Sequence, residues 1–121
     1  MPEFTPDAYS ERCPSRPIIT RLAKKWTMLA LVALQEGPKR FGALRRQLEG
    51  VSQKTLTKAL RGLEEDGLIS REVFDESIQR VQYRLTPLGE DLAPLIAHIK
   101  SWAEQNMDAI LAAQASGRAD D

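Results

Sequence analysis

The sequence predicts a mainly helical α+β fold, because the spacing of its apolar residues changes twice along the chain. From about residue 15 to residue 67 the apolar residues recur every three or four positions, as in amphipathic helices. From 68 to 86 they alternate with polar residues, as in half-buried strands. From 87 to 113 the helical spacing returns. We therefore expect a group of helices, a two-stranded hairpin, and further helix at the C-terminal end.

The 121 residues are enough for one domain with its own core and one or two additional helices. Both ends of the chain are polar and lack apolar periodicity. We therefore expect a flexible N-terminal tail at 1–12, a single domain at 13–113 and a C-terminal tail at 114–121.

The first helical segment covers about residues 15–36. Its apolar stripe consists of Leu22, Trp26, Leu29 and Ala33. Lys24 and Lys25 interrupt this stripe, so the segment is predicted to bend or to divide into two helices there. Gly37-Pro38 ends it, because both residues interrupt helices.

Two short helices joined by a tight turn are predicted next. The first, at about 40–49, has an inward face made of Phe41, Leu44 and Leu48. Gly50-Val51 forms the turn. The second helix begins after Ser52, whose hydroxyl can cap it, and ends before Gly67, which can take the left-handed conformation. Two helices in this arrangement are the helix-turn-helix pattern.

The second of these helices has two chemically different faces. Leu56, Leu60 and Leu63 form an apolar stripe. Its opposite side carries Lys54, Thr57, Lys58 and Arg61. A DNA recognition helix needs this division, because one side holds it to its domain while the other reaches phosphates and base edges in the major groove. Taken alone, however, such a basic face is more often ordinary solvated surface.

The charge of the whole chain is balanced, with a formal net charge of zero and a pI of about 6.6. The segment 39–61 is different, since it contains seven basic residues and one acid, Glu49. A basic patch on a neutral protein can still attract a polyanion.

A hairpin follows the helix-turn-helix, with strands predicted at 68–74 and 80–86 and a connecting loop at 75–79. A hairpin in this position is a wing, so the fold class is a winged helix-turn-helix. The wing arginines Arg71, Arg80 and Arg84 are candidates for contact with the DNA backbone or minor groove.

The last helical segment is predicted to begin at Thr86-Pro87, which supplies a cap and a proline suited to the first turn. Its stripe consists of Leu88, Leu92, Leu95, Ile99 and Trp102. Pro94 is expected to kink or break the helix near Ala93. A winged-helix core does not need this much apolar helix, so part of the stripe is expected to pack against a second subunit.

The ordered set of motifs resembles the HxlR-type winged helix-turn-helix transcriptional regulators over most of the chain. The matching motifs are Cys13-Pro14, Lys25-Trp26-Thr27, Gly37-Pro38, Arg40-Phe41-Gly42, Val51-Ser52-Gln53-Lys54-Thr55-Leu56-Thr57, Leu63-Glu64, Asp66-Gly67-Leu68-Ile69, Arg80-Val81, Tyr83 and Leu85-Thr86. The resemblance implies a homodimeric, sequence-specific DNA-binding regulator, for which we prefer repression. It also implies a pseudo-palindromic operator with half-sites ~34 Å apart.

The resemblance assigns roles to particular residues. The first and last helices form the dimer interface, through Leu22, Leu88, Leu92, Leu95, Ile99 and Trp102. The expected DNA contacts are Lys39, Arg40, Arg45, Ser52, Gln53, Lys54, Thr55, Thr57, Lys58, Arg61, Arg71 and Arg80. Among these, Gln53 suits adenine, while Lys54, Lys58 and Arg61 suit guanine or phosphate. Lys39, Arg40 and Arg45 would hold phosphates, although each alone is equally consistent with solvated surface.

Cys13 is the only cysteine, and it lies between Arg12 and Arg16. Nearby cations favour the reactive thiolate. Many regulators of the family it resembles use a cysteine near the N-terminus to sense oxidants or electrophiles, which makes Cys13 the candidate sensor. The alternative is a small buried cysteine without chemistry.

Two other functions remain open beside this one. The winged helix could be a protein-interaction module without affinity for DNA, or a regulator with a small apolar ligand held by Trp26 and Trp102 at the dimer interface. No catalytic set or phosphate-binding loop predicts an enzyme. One cysteine and one histidine, His98, predict neither metal site nor cofactor. Without a secretory signal or a long apolar run, we expect a cytoplasmic protein and no membrane contact.

Overall fold

The computed structural model describes residues 5–75 and 80–120, with side chains for all of these except 75, 80 and 118–120. The helices are α1 (Ser15–Leu22), α2 (Lys25–Leu34), α3 (Phe41–Gln47), α4 (Gln53–Glu65), α5 (Pro87–Gln105) and α6 (Met107–Asp120). The strands are β1 (Lys39–Arg40), β2 (Ile69–Asp75) and β3 (Arg80–Leu85). The predicted fold class, a mainly helical winged helix-turn-helix, is confirmed.

The N-terminal helical segment divides where the two lysines interrupt its stripe. Helix α1 ends at Leu22, and α2 begins at Lys25. Lys24 between them has an extended backbone, with φ −73° and ψ 136°. Before α1, the described part of the predicted tail forms turns, in which the Cys13 N–H donates to the Ser10 carbonyl at 3.1 Å.

The predicted start of the helix at 40–49 was wrong by one residue, because Lys39 and Arg40 form a strand. Strand β1 pairs antiparallel with β3, Lys39 opposite Tyr83 and Arg40 opposite Gln82. The sheet therefore has three strands in the order β1-β3-β2 among the described residues, rather than the two predicted for the wing. A strand of two residues is too short to show the alternating pattern in the sequence, and its pairing with β3 defines it.

Helix α4 begins and ends as its sequence predicts. The Ser52 hydroxyl accepts a hydrogen bond from the Thr55 N–H at 3.1 Å and so caps the first turn. At the other end Gly67 has φ +74°, and the Leu68 N–H donates to the Leu63 carbonyl at 2.9 Å. This left-handed closure turns the chain directly from α4 into β2.

The wing hairpin pairs β2 with β3 from Ile69 opposite Leu85 to Val73 opposite Val81, with an irregularity between Val73 and Asp75. The predicted loop at 75–79 lies outside the described residues except for Asp75, which ends β2.

Of the kink or break predicted near Ala93, the break is wrong, since α5 continues through Pro94 to Gln105. Pro94 is exposed, so water can reach the carbonyl that loses its partner there, while Ala93 and Ile96 beside it are buried in the core. The interruption falls at Asn106 instead. Helix α6 then extends to Asp120, across most of the segment assigned to the C-terminal tail.

One hydrophobic core joins the helices to the sheet. Its buried members are Ala30, Leu31, Ala33, Leu34, Leu44, Leu48, Val51, Leu56, Leu60, Leu63, Leu68, Ile69 and Ile96. Helix α4 contributes three fully buried leucines, and this burial fixes which of its faces points outward. None of the described helices carries an apolar stretch long enough to cross a membrane.

Candidate nucleic-acid interface

The outer face of α4 carries three exposed cations. At about 100° per residue, Lys54, Lys58 and Arg61 lie within about 60° of one another, on the side opposite Leu56 and Leu60. The two leucines are at most 2% exposed. The cationic face therefore projects from the domain while the apolar face holds the helix in place.

At the start of α4, hydroxyl side chains form hydrogen bonds within the helix, while an amide side chain is exposed. The Ser52 hydroxyl, besides accepting from the Thr55 N–H, donates to the Thr55 hydroxyl at 2.9 Å. The Thr57 hydroxyl donates to the Gln53 carbonyl at 2.8 Å. The hydroxyls of Ser52, Thr55 and Thr57 thus all form hydrogen bonds within the helix. The Gln53 side chain is exposed and carries an amide able to read a base edge.

The three predicted phosphate-binding residues near α3 differ in their surroundings. Lys39 is partly buried, and its Nζ lies 3.4 Å from Glu36 Oε1. The pKa of Glu36 is lowered, first by a hydrogen bond from Gln47 and then by Lys39, so this carboxylate is charged and competes for the lysine. Arg40 and Arg45 are exposed.

On the wing, Arg71 is exposed, and the side chain of Arg80 lies outside the described residues. Arg84 is ion-paired, with its Nε 3.0 Å from Glu72 Oε1 on the neighbouring strand. Val73 and Phe74 on β2 are exposed apolar residues that the sequence analysis did not single out.

A groove of about 1010 Å³ separates α4 from the start of α2, and we call it the α2–α4 groove. Its basic lining residues are Arg21, Lys24, Lys25, Lys54, Lys58 and Arg61. The last three are site residues predicted from the sequence, and the first three are not. The only local signal for the missed ones was the pair Lys24-Lys25 at a predicted helix boundary, and their proximity to α4 depends on tertiary packing.

Cys13 is buried, at 6% exposure, as expected for a small buried cysteine without chemistry. Its surroundings nevertheless favour the thiolate. Its Sγ lies 3.0 Å from the Ser15 hydroxyl, and the Asp7 N–H donates to it at 3.3 Å. The pKa of the Cys13 thiol is lowered, first by the Ser15 hydroxyl, then by the Ser15 N–H and more weakly by the Asp7 N–H; burial and the Asp7 charge oppose this. The flanking arginines, which we expected to stabilise the thiolate, are both exposed and do not contribute to this shift.

The six predicted dimer-interface residues fall into two groups. Leu22 and Leu92 are partly buried and pack against the protein's own core. Leu88, Leu95, Ile99 and Trp102 are more than half exposed and form a stripe along α5. Trp26 lines a groove of about 910 Å³ and Trp102 is exposed on α5, so a ligand held by both at a dimer interface stays a prediction.

A capped recognition helix with an exposed basic face, preceded by a short helix and a tight turn and followed by a hairpin, defines a winged helix-turn-helix DNA-binding protein. The family model described as HxlR-like helix-turn-helix matches residues 21–111. The chain belongs to the HxlR family. It is a transcriptional regulator of the HxlR/MarR-like winged-helix type and not an enzyme.

Individual relatives support this assignment. The chain is 41% identical over 104 residues to the uncharacterised HTH-type transcriptional regulator YtfH of Escherichia coli K12, covering 86% of this chain and 82% of that protein. The solved structure of the putative regulator ytfH from Salmonella typhimurium is similar with a TM-score of 0.86 and 38% identity, over 91% of this chain and 98% of that one. The oxidised form of the redox regulator HypR is similar with a TM-score of 0.70 and 35% identity, over 78% and 97%.

Proposed function

We propose that this regulator is a homodimeric repressor of a pseudo-palindromic operator, with one α4 helix in each of two successive major grooves. The observation that carries this proposal is the exposed face of α4, where Lys54, Lys58 and Arg61 stand above a fully buried apolar side. A helix fixed in this way can enter a groove about 12 Å wide without losing its own packing.

The residue roles follow from donor and acceptor chemistry. The Gln53 amide pairs with adenine through two hydrogen bonds, and Lys54, Lys58 and Arg61 bind guanine or phosphate. Arg40 and Arg45 bind phosphates, and Lys39 joins them once it leaves Glu36. Ser52, Thr55 and Thr57 bind DNA only with the hydrogen-bonding capacity left over from helix capping. We assign Arg71 and Arg80 to contacts with the DNA phosphate backbone beside the wing.

Dimerisation is supported by the apolar stripe on α5. Leu88, Leu95, Ile99 and Trp102 expose large apolar side chains in one line, and a second copy of the chain would remove them from water. Such a dimer on its operator covers the DNA that a polymerase would need. Repression by occlusion requires no further contact surface, which is why we prefer it to activation.

The direct test is selection of duplexes from a randomised pool, followed by titration of the selected duplex and a scrambled duplex at low and near-physiological salt. We expect the selected duplex to be an inverted repeat that binds roughly 10³-fold or more tightly than the scrambled one. Gln53→Ala should reduce that ratio, and Lys58→Ala should weaken binding to the selected duplex. Lys100→Gln on α5 serves as the control for loss of one charge.

Equal binding of both duplexes that disappears with salt would reject the proposal. It would favour a basic surface without sequence recognition. A protein-interaction module remains the alternative, and it predicts weak binding to both duplexes with little dependence on salt.

We also propose that modification of Cys13 weakens operator binding. The Ser15 hydroxyl and Asp7 N–H support the Cys13 thiolate, and a similar protein carries the name of a redox regulator. The thiolate would attack a small disulfide, forming a mixed disulfide with Cys13 and releasing the other half as a thiolate. The enlarged side chain no longer fits its buried position, so residues 7–15 must rearrange.

The test of this second proposal is titration of the selected duplex before and after treatment with a small disulfide. Wild-type affinity should fall and should recover on addition of dithiothreitol. Cys13→Ser should show neither change. If treatment weakens binding by Cys13→Ser equally, Cys13 is not the sensor.

A further inference from the structure

The α2–α4 groove extends the positive charge of the α4 face to basic residues that have not been assigned to DNA so far. Among the described residues, six basic side chains and only two acidic ones, Glu65 and Asp66, line it. Three of the cations come from the α4 face, so the groove is continuous with the proposed DNA contact. The other three come from the junction between α1 and α2.

The charge within the groove is uneven. At the C-terminal end of α4, Arg21 is held by Asp66, with Nη2 2.6 Å from Oδ1, and Glu65 lies beside it. That end is therefore close to neutral. The rest of the lining includes Lys24, Lys25, Lys54 and Lys58, and all four are exposed. An extended anion is therefore attracted to this part of the groove more strongly than to the end near Asp66.

The start of α2 adds to this potential. Its first turn contains no acidic residue, and no side chain of the described residues caps it. The backbone N–H groups and the positive end of the helix dipole therefore point outward next to Lys24 and Lys25. The Lys25 Nζ lies 4.6 Å from the centre of the Trp26 ring, a cation–π contact that limits where this ammonium can go.

B-DNA geometry indicates what fills such a groove. A helix lying in the major groove has a sugar-phosphate strand along each of its sides. The start of α2 borders one side of α4, so a strand on that side would run along the α2–α4 groove. The geometry points to a phosphate-binding track in which Lys24 and Lys25 hold the DNA strand bordering the major groove that α4 occupies. This inference rests on the proposed function and extends the interface beyond the helix-turn-helix and the wing.

The test compares the salt dependence of binding to the selected duplex for wild-type protein and Lys24→Ala/Lys25→Ala. Each lysine that neutralises a phosphate contributes about one to the slope of log K against log salt concentration. We expect the double variant to lose about two from the slope per subunit and to bind about tenfold or more weakly at low salt. The ratio of affinities for selected and scrambled duplexes should remain that of the wild type, because phosphate contacts do not read sequence.

Two further variants complete the design. Lys24→Arg/Lys25→Arg keeps the charge and the stacking on Trp26, so it should retain the wild-type slope. Arg16→Ala/Lys100→Ala removes two exposed cations that do not line the groove, and it should also retain that slope. Circular dichroism checks that each variant is folded.

A double alanine variant with the wild-type slope overturns the inference, and so does the same loss of slope in Arg16→Ala/Lys100→Ala. Neither result affects the proposed function if the wild type still prefers its selected duplex. A wild type without that preference rejects the proposed function and this inference together. A slope that falls together with the duplex preference would assign Lys24 and Lys25 to positioning α4 and would also overturn the track.

Discussion

Arg21 and Asp66 form a two-point ion pair, with Arg21 Nε 3.0 Å from Asp66 Oδ2 and Nη2 2.6 Å from Oδ1. The pair joins α1 to the residue that follows α4, 45 positions along the chain. The hydrogen bond to Asp66 raises the pKa of Arg21 further, so the guanidinium stays charged at any pH of interest. Asp66 is only 15% exposed. This pair therefore helps to fix the orientation of α1 beside the recognition helix, together with the packing of Leu22 against the core.

We predict that Arg21 and Asp66 are energetically coupled more strongly than an ordinary surface pair. Unfolding by urea of Arg21→Ala, Asp66→Ala and the double variant gives the coupling. The control is Lys100 with Glu104, a single-contact pair at 2.8 Å on the exposed side of α5. Two charge-assisted hydrogen bonds hold the first pair and one holds the second, so the first cycle should give the larger coupling. Equal values would mean that the two-point geometry adds nothing to stability.

The second prediction concerns the reactivity of Cys13. Because the Ser15 hydroxyl is the largest cause of the lowered pKa of Cys13, Ser15→Ala should raise that pKa. Below the pKa, each unit of increase reduces the thiolate fraction tenfold, so alkylation by iodoacetamide at fixed pH should slow accordingly. Ser10→Ala is the matched control, since Ser10 contributes to this turn through its backbone N–H and carbonyl, which alanine keeps. An unchanged pH profile in Ser15→Ala would contradict the assignment.

The lowered pKa of Cys13 also makes the stability of the folded protein depend on pH. The pKa of Cys13 is lower in the folded protein than in the unfolded chain, so the unfolded state binds the proton more tightly. The Cys13 thiolate stabilises the folded protein at pH values above the pKa that this thiol has in the unfolded chain. This stabilisation is lost as the pH falls through the lower pKa of the thiol in the folded protein. Ser15→Ala should reduce this pH dependence, which urea titrations across that range measure.

The third prediction is that Gly89 cannot be replaced without cost. A Cβ at this position would lie 2.0 Å from the Leu68 carbonyl oxygen, a backbone atom that cannot move aside. Gly89→Ala should therefore destabilise the protein by about 1–3 kcal/mol or more, measured by urea unfolding. The control is Gly117→Ala in α6, where nothing lies within 4 Å and alanine favours the helix. Wild-type stability in Gly89→Ala would mean that α5 does not approach Leu68 this closely.

Helix α4 could be predicted from the sequence because all its signals are local. The Ser52 cap, the leucine spacing and Gly67 each act within a few residues of the structure they determine. Strand β1 has no local signal, and it exists because Lys39 and Arg40 meet β3 more than forty residues later. The continuity of α5 through Pro94 likewise depends on burial of Ala93 and Ile96 by other parts of the chain.

The candidate site likewise has one part that the sequence predicts and another that depends on tertiary packing. The cationic face of α4 follows from spacing alone, whereas the approach of Lys24 and Lys25 to that face requires α2 to pack on α4. The stripe on α5 was predicted as one surface, yet Leu92 packs against the core while the other members of the stripe are exposed. The period of a helix gives the direction of a side chain only to within a broad arc, and packing decides what covers it.

The fourth prediction tests that stripe. Leu95 is 63% exposed and Ile99 is 51% exposed, so Ile99→Glu should leave the monomer folded while placing a charge where the proposed second subunit would pack. Sedimentation should then report the 13.6 kDa monomer for Ile99→Glu and twice that mass for the wild type. Lys100→Gln changes the net charge equally and lies about 100° further around α5, so it should remain dimeric.

The same variant separates dimerisation from DNA reading. A monomer still carries α4 and can bind one half-site, but it gains nothing from a second half-site at a fixed spacing. Ile99→Glu should therefore bind a duplex with two half-sites about as weakly as a duplex with one, whereas the wild type should bind the paired sites far more tightly. A variant that sediments as a dimer and keeps the preference for paired half-sites would exclude this stripe as the interface, because a buried glutamate at its centre could not be tolerated.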